Sequence, residues 1–176
     1  MLKGKKVTLH LPEEKHLKKM LEWRNDPNLR QFFREYRELS YEHQVKWWKD
    51  KALSDDSWQY FVMKPNGEDK IIGVIGLVYI HPIYKTAEFA ISIGDENYRN
   101  GGFGSDALRT IIKYGFEELN LNRIWCEVYS NNKAIDVYRH IGFKDEGLLR
   151  QTVYKNGQYH DSYILGMLKD EWQKTK

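Results

Sequence analysis

Asn97-Tyr98-Arg99-Asn100-Gly101-Gly102-Phe103-Gly104-Ser105-Asp106-Ala107 is the stretch around which the chain is organised. A strand-like run, Ala87 to Ile93, precedes it, and a helix-like run, Ala107 to Leu119, follows it. Strand, glycine-rich turn and helix in that order aim backbone N–H groups at an anion. The first N–H groups of a helix have no partner within it and carry partial positive charge. Glycines let the backbone approach a phosphate with no Cβ in the way. The segment therefore reads as a cradle for a phosphorylated ligand. Glycines alone also suit a turn that merely reverses the chain, since short glycine motifs recur by chance, so the neighbouring residues decide. No Gly-Lys-Ser/Thr follows, which excludes a nucleoside-triphosphate P-loop.

Working outward, Lys85 to Ile93 alternates as a strand does. Ala87, Phe89, Ile91 and Ile93 point one way, and Thr86, Glu88, Ala90 and Ser92 the other. A carboxylate on a central strand is costly unless it is paired or open to a cleft. That singles out Glu88, although an arginine partner would explain it equally well. After the turn, Leu108, Ile111, Ile112, Gly115, Phe116 and Leu119 form one helical stripe. Arg123 to Tyr129 is the next strand. Ser130-Asn131-Asn132 caps a helix through Ile141, which Gly142 ends. Phe143 to Leu149 and Gln151 to Lys155 read as strands, Asn156-Gly157 as a hairpin turn, and Tyr159 to Leu168 as the returning strand.

Upstream, Lys6 to Leu11 is a strand, and Pro12 opens a helix anchored by Leu17, Met20, Leu21 and Trp23 that Pro27 stops. Asn28 to Leu39 mixes Arg30, Arg34 and Arg37 with Phe32, Phe33 and Tyr36. It reads as a loop or short helix lining a cleft, or as a solvated amphipathic turn. Ser40 caps a helix through Leu53. Trp58 to Met63 and Ile71 to Ile80 form an antiparallel hairpin across the turn Pro65-Asn66-Gly67. Helices interrupt the strands in mid-chain instead of alternating throughout. The expectation is an α+β fold: a mixed, mostly antiparallel sheet flanked by helices, in a single domain over residues 1–176.

Bulk composition narrows the function. With 176 residues, 41% hydrophobic and 30% charged, the chain can bury one ordinary core. No apolar run approaches the roughly 20 residues that span a bilayer, and the basic start Met1 to Lys6 leads into no apolar stretch, so neither a membrane span nor a secretory signal is expected. The single cysteine, Cys126, excludes an internal disulfide, fits a reducing cytoplasm and reads as core packing. No His/Cys spacing points to a metal. The net charge of +3 leans towards an anionic ligand. Its dispersal speaks against a dedicated nucleic-acid binder, which shows a basic stripe.

Two blocks carry a resemblance. Arg99-Asn100-Gly101-Gly102-Phe103-Gly104 matches Gln/Arg-x-x-Gly-x-Gly/Ala, and Asn131 stands seven residues before Tyr138, with Gly142-Phe143 following. In this order the chain resembles the GNAT superfamily of acyl-CoA N-acyltransferases. Ala87-Glu88-Phe89, Tyr114-Gly115-Phe116, Leu119-Asn120-Leu121-Asn122, Glu146-Gly147 and Asn156-Gly157-Gln158-Tyr159 are similar to its RimJ/RimL-type branch. That branch holds ribosomal-protein N-terminal and spermidine acetyltransferases. The resemblance implies a splayed sheet with acetyl-CoA between the Lys85–Ile93 and Arg123–Tyr129 strands. It implies a pyrophosphate on Arg99, Asn100, Gly101, Gly102, Phe103 and Gly104, and pantetheine along Ile91, Ser92 and Ile93. Asn131 and Lys133 would contact the cofactor or order the site, and Tyr138 would point at the sulfur. No metal is implied, and the analogy allows a homodimer. Where a spermidine enzyme is expected to be acidic, this chain reads Arg34-Glu35-Tyr36-Arg37-Glu38, which leans towards an acceptor carrying negative charge.

The implied reaction is attack of a primary amine, from a small molecule or a peptide, on a thioester in a ternary complex. An alkylamine of pKa near 10.4 is free base in about one molecule in a few thousand at pH 7, and an α-amino group in roughly a tenth. Glu88 is the candidate base, acting directly or through water. Tyr138 is the candidate acid. Full proton transfer from a phenol near pKa 10 to a thiolate near 8.5 is uphill by about 2 kcal/mol. Either the helix lowers the Tyr138 pKa, or Tyr138 chiefly donates a hydrogen bond. Two readings compete: a non-catalytic acyl-CoA-binding regulatory module on the same fold, and an RNA- or ribosome-binding protein using Arg30 to Arg37. Protein N-terminus, polyamine, amino sugar and antibiotic amine all remain open as acceptor.

Overall fold

The computed structural model describes residues 1–174. Eight strands form one sheet: Leu2–Lys3 (β1), Val7–His10 (β2), Gln59–Pro65 (β3), Gly73–His81 (β4), Thr86–Ile93 (β5), Arg123–Tyr129 (β6), Lys144–Lys155 (β7) and Gln158–Leu168 (β8). Their order is β1-β2-β3-β4-β5-β6-β8-β7. Every neighbouring pair is antiparallel except β5–β6, which is parallel and so needs a crossover connection. The helix Phe103–Glu117 (α4) supplies it. Leu17–Asn25 (α1), Pro27–Arg30 (α2), Tyr41–Trp47 (α3), Ala134–Ile141 (α5) and Lys169–Gln173 (α6) complete the helices. The fold is the mixed α+β arrangement expected, with a largely antiparallel sheet flanked by helices.

The apolar stripe of α4 explains where the core sits. Ala107, Leu108, Ile111, Ile112 and Phe116 are fully buried against Leu9, Ile75, Leu77, Ala87 and Ile124. Each such side chain contributes on the order of 1.5–3 kcal/mol. The opposite face carries a smaller cluster in which Leu17, Met20 and Val62 pack with Val45, Trp47, Trp48 and Val74. The sheet is thus covered on one face by α4 and α5 and on the other by α1 and α3.

Several boundaries differ from the sequence reading, each for a local reason. Pro12 opens no helix: a 3-10 turn, Glu14–His16, intervenes, with the Glu13 N–H donating to His16 Nδ1 at 3.0 Å and the His16 N–H to the Glu13 carbonyl at 2.9 Å, and α1 starts at Leu17. Pro27 both stops α1 and starts α2 at its first turn, under the cap of Asp26. Ser40 caps α3 as expected, but the helix turns π-helical over Trp48–Leu53. The helix α4 begins at Phe103, four residues ahead of Ala107, because Gly102 at φ 80° turns the chain directly into helical conformation. The two strands expected on either side of Arg150 are one, β7; it absorbs irregularities between Asp145/Gly147 and Leu149/Val153. Asn156 and Gly157 both have positive φ, as the two-residue hairpin requires.

Candidate functional site

The sheet opens in its middle. Strands β5 and β6 pair at only three positions, Thr86 with Arg123, Ala87 with Ile124 and Glu88 with Trp125. Beyond that apex β5 continues to Ile93 paired with β4 alone, and β6 continues to Tyr129 paired with β8 alone. The backbone of the half-buried residues Ile91, Ser92 and Ile93 therefore lines a wedge-shaped gap. A linear ligand can fill it by strand-like hydrogen bonds.

The glycine turn stands at the wide end of this wedge. The Arg99 guanidinium folds back, Nε donating to the Ile93 carbonyl at 3.2 Å and Nη2 to that of Gly94 at 3.3 Å. The Lys6 ammonium donates to the Gly101 carbonyl at 2.8 Å and sits 5.5 Å from the centre of the Phe103 ring. Asn100 and Gly102 both take positive φ, and Gly102 caps α4 without a side chain. The helix start is left for an outside acceptor. A Cβ on Gly104 would meet Ile93 and Ile91 only at 3.6 Å and beyond, an ordinary contact. The protein's own packing does not call for glycine there, and the missing Cβ leaves room for close approach of an anion. Asp106, in the first turn of α4, would repel that anion if it were free. Its carboxylate instead accepts backbone N–H bonds from Lys5, Lys6 and Val7, at 3.0, 2.7 and 3.0 Å. These features fit a diphosphate. Asn131 and Lys133 lie exposed on the connection from β6 into α5, where the Asn132 Oδ1 accepts from the Ala134 N–H just ahead of the helix.

At the apex two environments meet across the sheet. On the α4/α5 face, Tyr138 is buried edge-on against Phe89, ring centres 5.0 Å apart, and Phe89 also packs on Phe143. Burial pushes the Tyr138 phenol above its ordinary pKa, and the neighbouring Cys126 adds to this. That direction is opposite to the one a proton-transferring acid needs. Burial likewise raises the Cys126 thiol, which excludes a thiolate nucleophile.

On the other face, the residues next to Phe89 and Cys126 are Glu88 and Glu127. Glu88 is 5% exposed. Both its oxygens accept from Arg34, Oε2 from Nη1 at 2.9 Å and Oε1 from Nη2 at 2.7 Å. The same Nη2 donates to Glu127 Oε2 at 2.8 Å. Burial alone would lower the Arg34 pKa, but the bonds and charges of Glu88 and Glu127 outweigh it and raise it.

Arg34 arrives on the segment after α2, which the β7–β8 hairpin holds in place. Lys155 Nζ donates to the carbonyls of Arg30 and Phe33, and Asn156 Nδ2 to Gln31 Oε1. The other arginines of this segment are also paired, Arg30 with Glu38 and Arg37 with Glu35. Arg30 and Arg37 are thus neutralised within the segment, and Arg34 by Glu88 and Glu127 on the sheet. The lean towards a negatively charged acceptor loses its basis, and so does a basic stripe for RNA. Arg34, Glu88 and Glu127 together carry a net charge of −1. Sequence reasoning missed the ties of Lys6, Asp106, Lys155 and Glu127. Only Glu127 had a signal, its place on the strand face opposite Ile124 and Cys126.

Among the described residues no group of three or more His, Cys, Asp or Glu could hold a metal, and no helix is long and apolar enough to cross a membrane.

Comparison with known proteins places this geometry. Residues 6–144 match the family model of the acetyltransferase (GNAT) domain. The spermidine N(1)-acetyltransferase of Escherichia coli K12 is 35% identical over 124 residues, 70% of this chain; the chain covers 65% of that relative, slightly under two thirds of its length. The uncharacterised N-acetyltransferase YnaD of Bacillus subtilis is 28% identical over 96% of both chains. Among solved structures, spermidine N-acetyltransferase from Vibrio cholerae in complex with CoA and spermine superimposes with a TM-score of 0.89 at 26% identity, covering 96% of this chain and 98% of that one.

Proposed function

The chain belongs to the GNAT acetyltransferase family, and from that premise we propose that it is an acetyl-CoA-dependent N-acetyltransferase acting on a primary amine. The observation that carries the reading is the apex: β5 and β6 part immediately beyond Glu88, with a buried phenol on one face and an anionic cluster on the other. In this reading Arg99 to Gly104 and the start of α4 hold the pyrophosphate. Ile91, Ser92 and Ile93 hold the pantetheine arm, and Asn131 and Lys133 flank the opposite wall. Acetyl-CoA supplies the activated acetyl thioester. Tyr138 donates a hydrogen bond to the sulfur as negative charge develops there. Glu88 supplies the buried negative charge on the amine side.

We infer further that the acceptor is a cationic alkylamine of the polyamine kind. The net charge of −1 at the apex supports this, as does the likeness to spermidine acetyltransferases. The RimJ/RimL-type alternative, acetylation of a protein N-terminus, is supported by the sequence features and by the 36% identity over 110 residues to the putative ribosomal N-acetyltransferase YdaF of Bacillus subtilis.

The test is thiol release from acetyl-CoA with a panel containing spermidine, spermine, a peptide with a free N-terminus and an amino sugar. Release with the polyamines supports the reading. Release with the peptide alone replaces the acceptor class. Calorimetric binding of acetyl-CoA with no release from any amine establishes the regulatory-module alternative.

A further inference from the structure

The cluster at the apex holds four carboxylate oxygens and one guanidinium. Three of the oxygens, both of Glu88 and Oε2 of Glu127, accept from Arg34. Glu127 Oε1 does not, and among the described residues it makes no hydrogen bond within the protein. A general base needs an oxygen within hydrogen-bond reach of the amine proton. Both Glu88 oxygens are already held in the bidentate pair with Arg34, one of the stronger hydrogen-bonded arrangements available to a carboxylate, and each has only its second lone pair left to offer, whereas Glu127 Oε1 is wholly unengaged.

Position agrees with this. Glu127 lies two residues beyond Trp125, the last β6 residue paired to β5, so it faces the widening part of the gap. Its strand neighbour Cys126 lies beside Tyr138 on the opposite face. The Glu127 side chain is 18% exposed against 7% for Glu88, so it is accessible from the amine side without being freely solvated.

We infer that Glu127, not Glu88, is the catalytic base of this site, and that Arg34 and Glu88 are positioning residues that fix Glu127 through its other oxygen. This rests on the acetyltransferase reading. The reacting ammonium first loses one proton to solvent and becomes neutral; its lone pair then forms the bond to the acetyl carbon, and the carbon–sulfur bond breaks with its electron pair going to sulfur. One proton leaves the nitrogen for Glu127 Oε1. The thiol proton is drawn from solvent under the hydrogen bond of Tyr138, and Glu127 returns its proton to solvent afterwards. Neutral amine plus thioester gives amide plus thiol, with nothing left over.

The ionisable groups on Glu127's side of the sheet are Arg34 from the loop, Glu88 from β5 and Tyr129 from its own strand, while the adjacent Cys126 points to the other face. Its partner across β8 is the uncharged Ile164.

The experiment compares wild type with Glu127→Gln and Glu127→Ala, using the amine of the panel that is turned over fastest. It measures kcat, the dissociation constant of acetyl-CoA by calorimetry, and the kcat of Glu127→Ala with added formate. Both variants are expected to lose about 10²-fold or more in kcat, with acetyl-CoA binding unchanged. Formate, entering the space of the missing carboxylate, is expected to restore a substantial part of the rate. Glu127→Gln with wild-type kcat overturns the assignment, as does a loss that formate leaves unrelieved. A loss that follows weakened acetyl-CoA binding makes Glu127 structural and also overturns it. If wild type turns over no amine while binding acetyl-CoA, the acetyltransferase reading fails and takes this assignment with it. Should Glu127→Ala not fold, Glu127→Gln, which keeps shape and volume, decides alone.

Discussion

The two faces of the sheet at its apex are one residue apart in sequence and opposite in character. On one, Phe89 and Tyr138 make a dry aromatic contact in which the phenol is kept protonated by burial. On the other, Glu88, Glu127 and Arg34 form a charged cluster tied together by hydrogen bonds. The period of two along a strand is what makes this juxtaposition cheap: adjacent residues serve opposite sides with no change of backbone. A reaction that needs an apolar setting for a sulfur and a polar one for an amine finds both within the thickness of one sheet.

Breaking the dry side gives the largest expected effect. Tyr138→Phe removes one hydroxyl and no packing, so turnover should fall about 10²- to 10³-fold while calorimetry finds acetyl-CoA bound as in wild type. Unchanged turnover would remove Tyr138 from the chemistry. On the charged side, Arg34→Met leaves Glu88 buried without its partner. Losing a partner from a fully buried pair costs about 3–5 kcal/mol; Arg34 is 48% exposed on its side chain, so about 2 kcal/mol is expected in urea unfolding. The added substitution Glu88→Leu should recover part of it.

The cradle itself is sharpened by Gly102→Ala, which puts a Cβ on a residue at φ 80°. The left-handed backbone should cost about 1–2 kcal/mol in unfolding and weaken acetyl-CoA binding, with amine KM unaffected.

Acid should loosen the amine side through Glu35, whose pKa the Arg37 hydrogen bond holds down to about 2 from 4.5. A folded-state pKa below the unfolded one gives stability present above about pH 4.5 and lost as pH falls towards 2. Glu35→Gln should therefore lower stability at pH 6 and cease to differ from wild type near pH 2. Because Glu35 and Arg37 are two residues apart, part of the pair survives in the unfolded chain, and about 1 kcal/mol is expected. The smallest effect is Ser40→Ala at the cap of α3, where His43 N–H bonds the Ser40 hydroxyl. Thermal unfolding should report about 0.5–1 kcal/mol, with turnover untouched.

The two sides also differed in how far they could be read from sequence. The cofactor side is built from contiguous chain, so its signals are local: the alternation of Thr86 to Ile93, the glycines of 101 to 104 and the stripe from Leu108 to Phe116. Glu88 stood out because its neighbours on that face are small. What it pairs with could not be read, since Arg34 lies 54 residues away from Glu88 and 93 from Glu127, and no periodicity links a loop arginine to two strands. The cancellation of charge in Arg30 to Glu38 was hidden differently: its pairs, Arg30 with Glu38 and Arg37 with Glu35, are local, but composition does not say which side chains meet. The early start of α4 escaped because glycine in a first helical turn reads as a breaker unless the φ of Gly102 is known.

The joint between β5 and β6, three residue pairs long, has a mechanical meaning. The sheet is two plates, β1 to β5 and β6 to β8, riveted along a short seam and bridged by the overlying helices. Under tension or partial melting the plates should separate from the open end inwards, like a zipper already half undone. A molecule laid between them would act as a clasp, so occupancy at the wedge would be felt as stiffness on both sides of it.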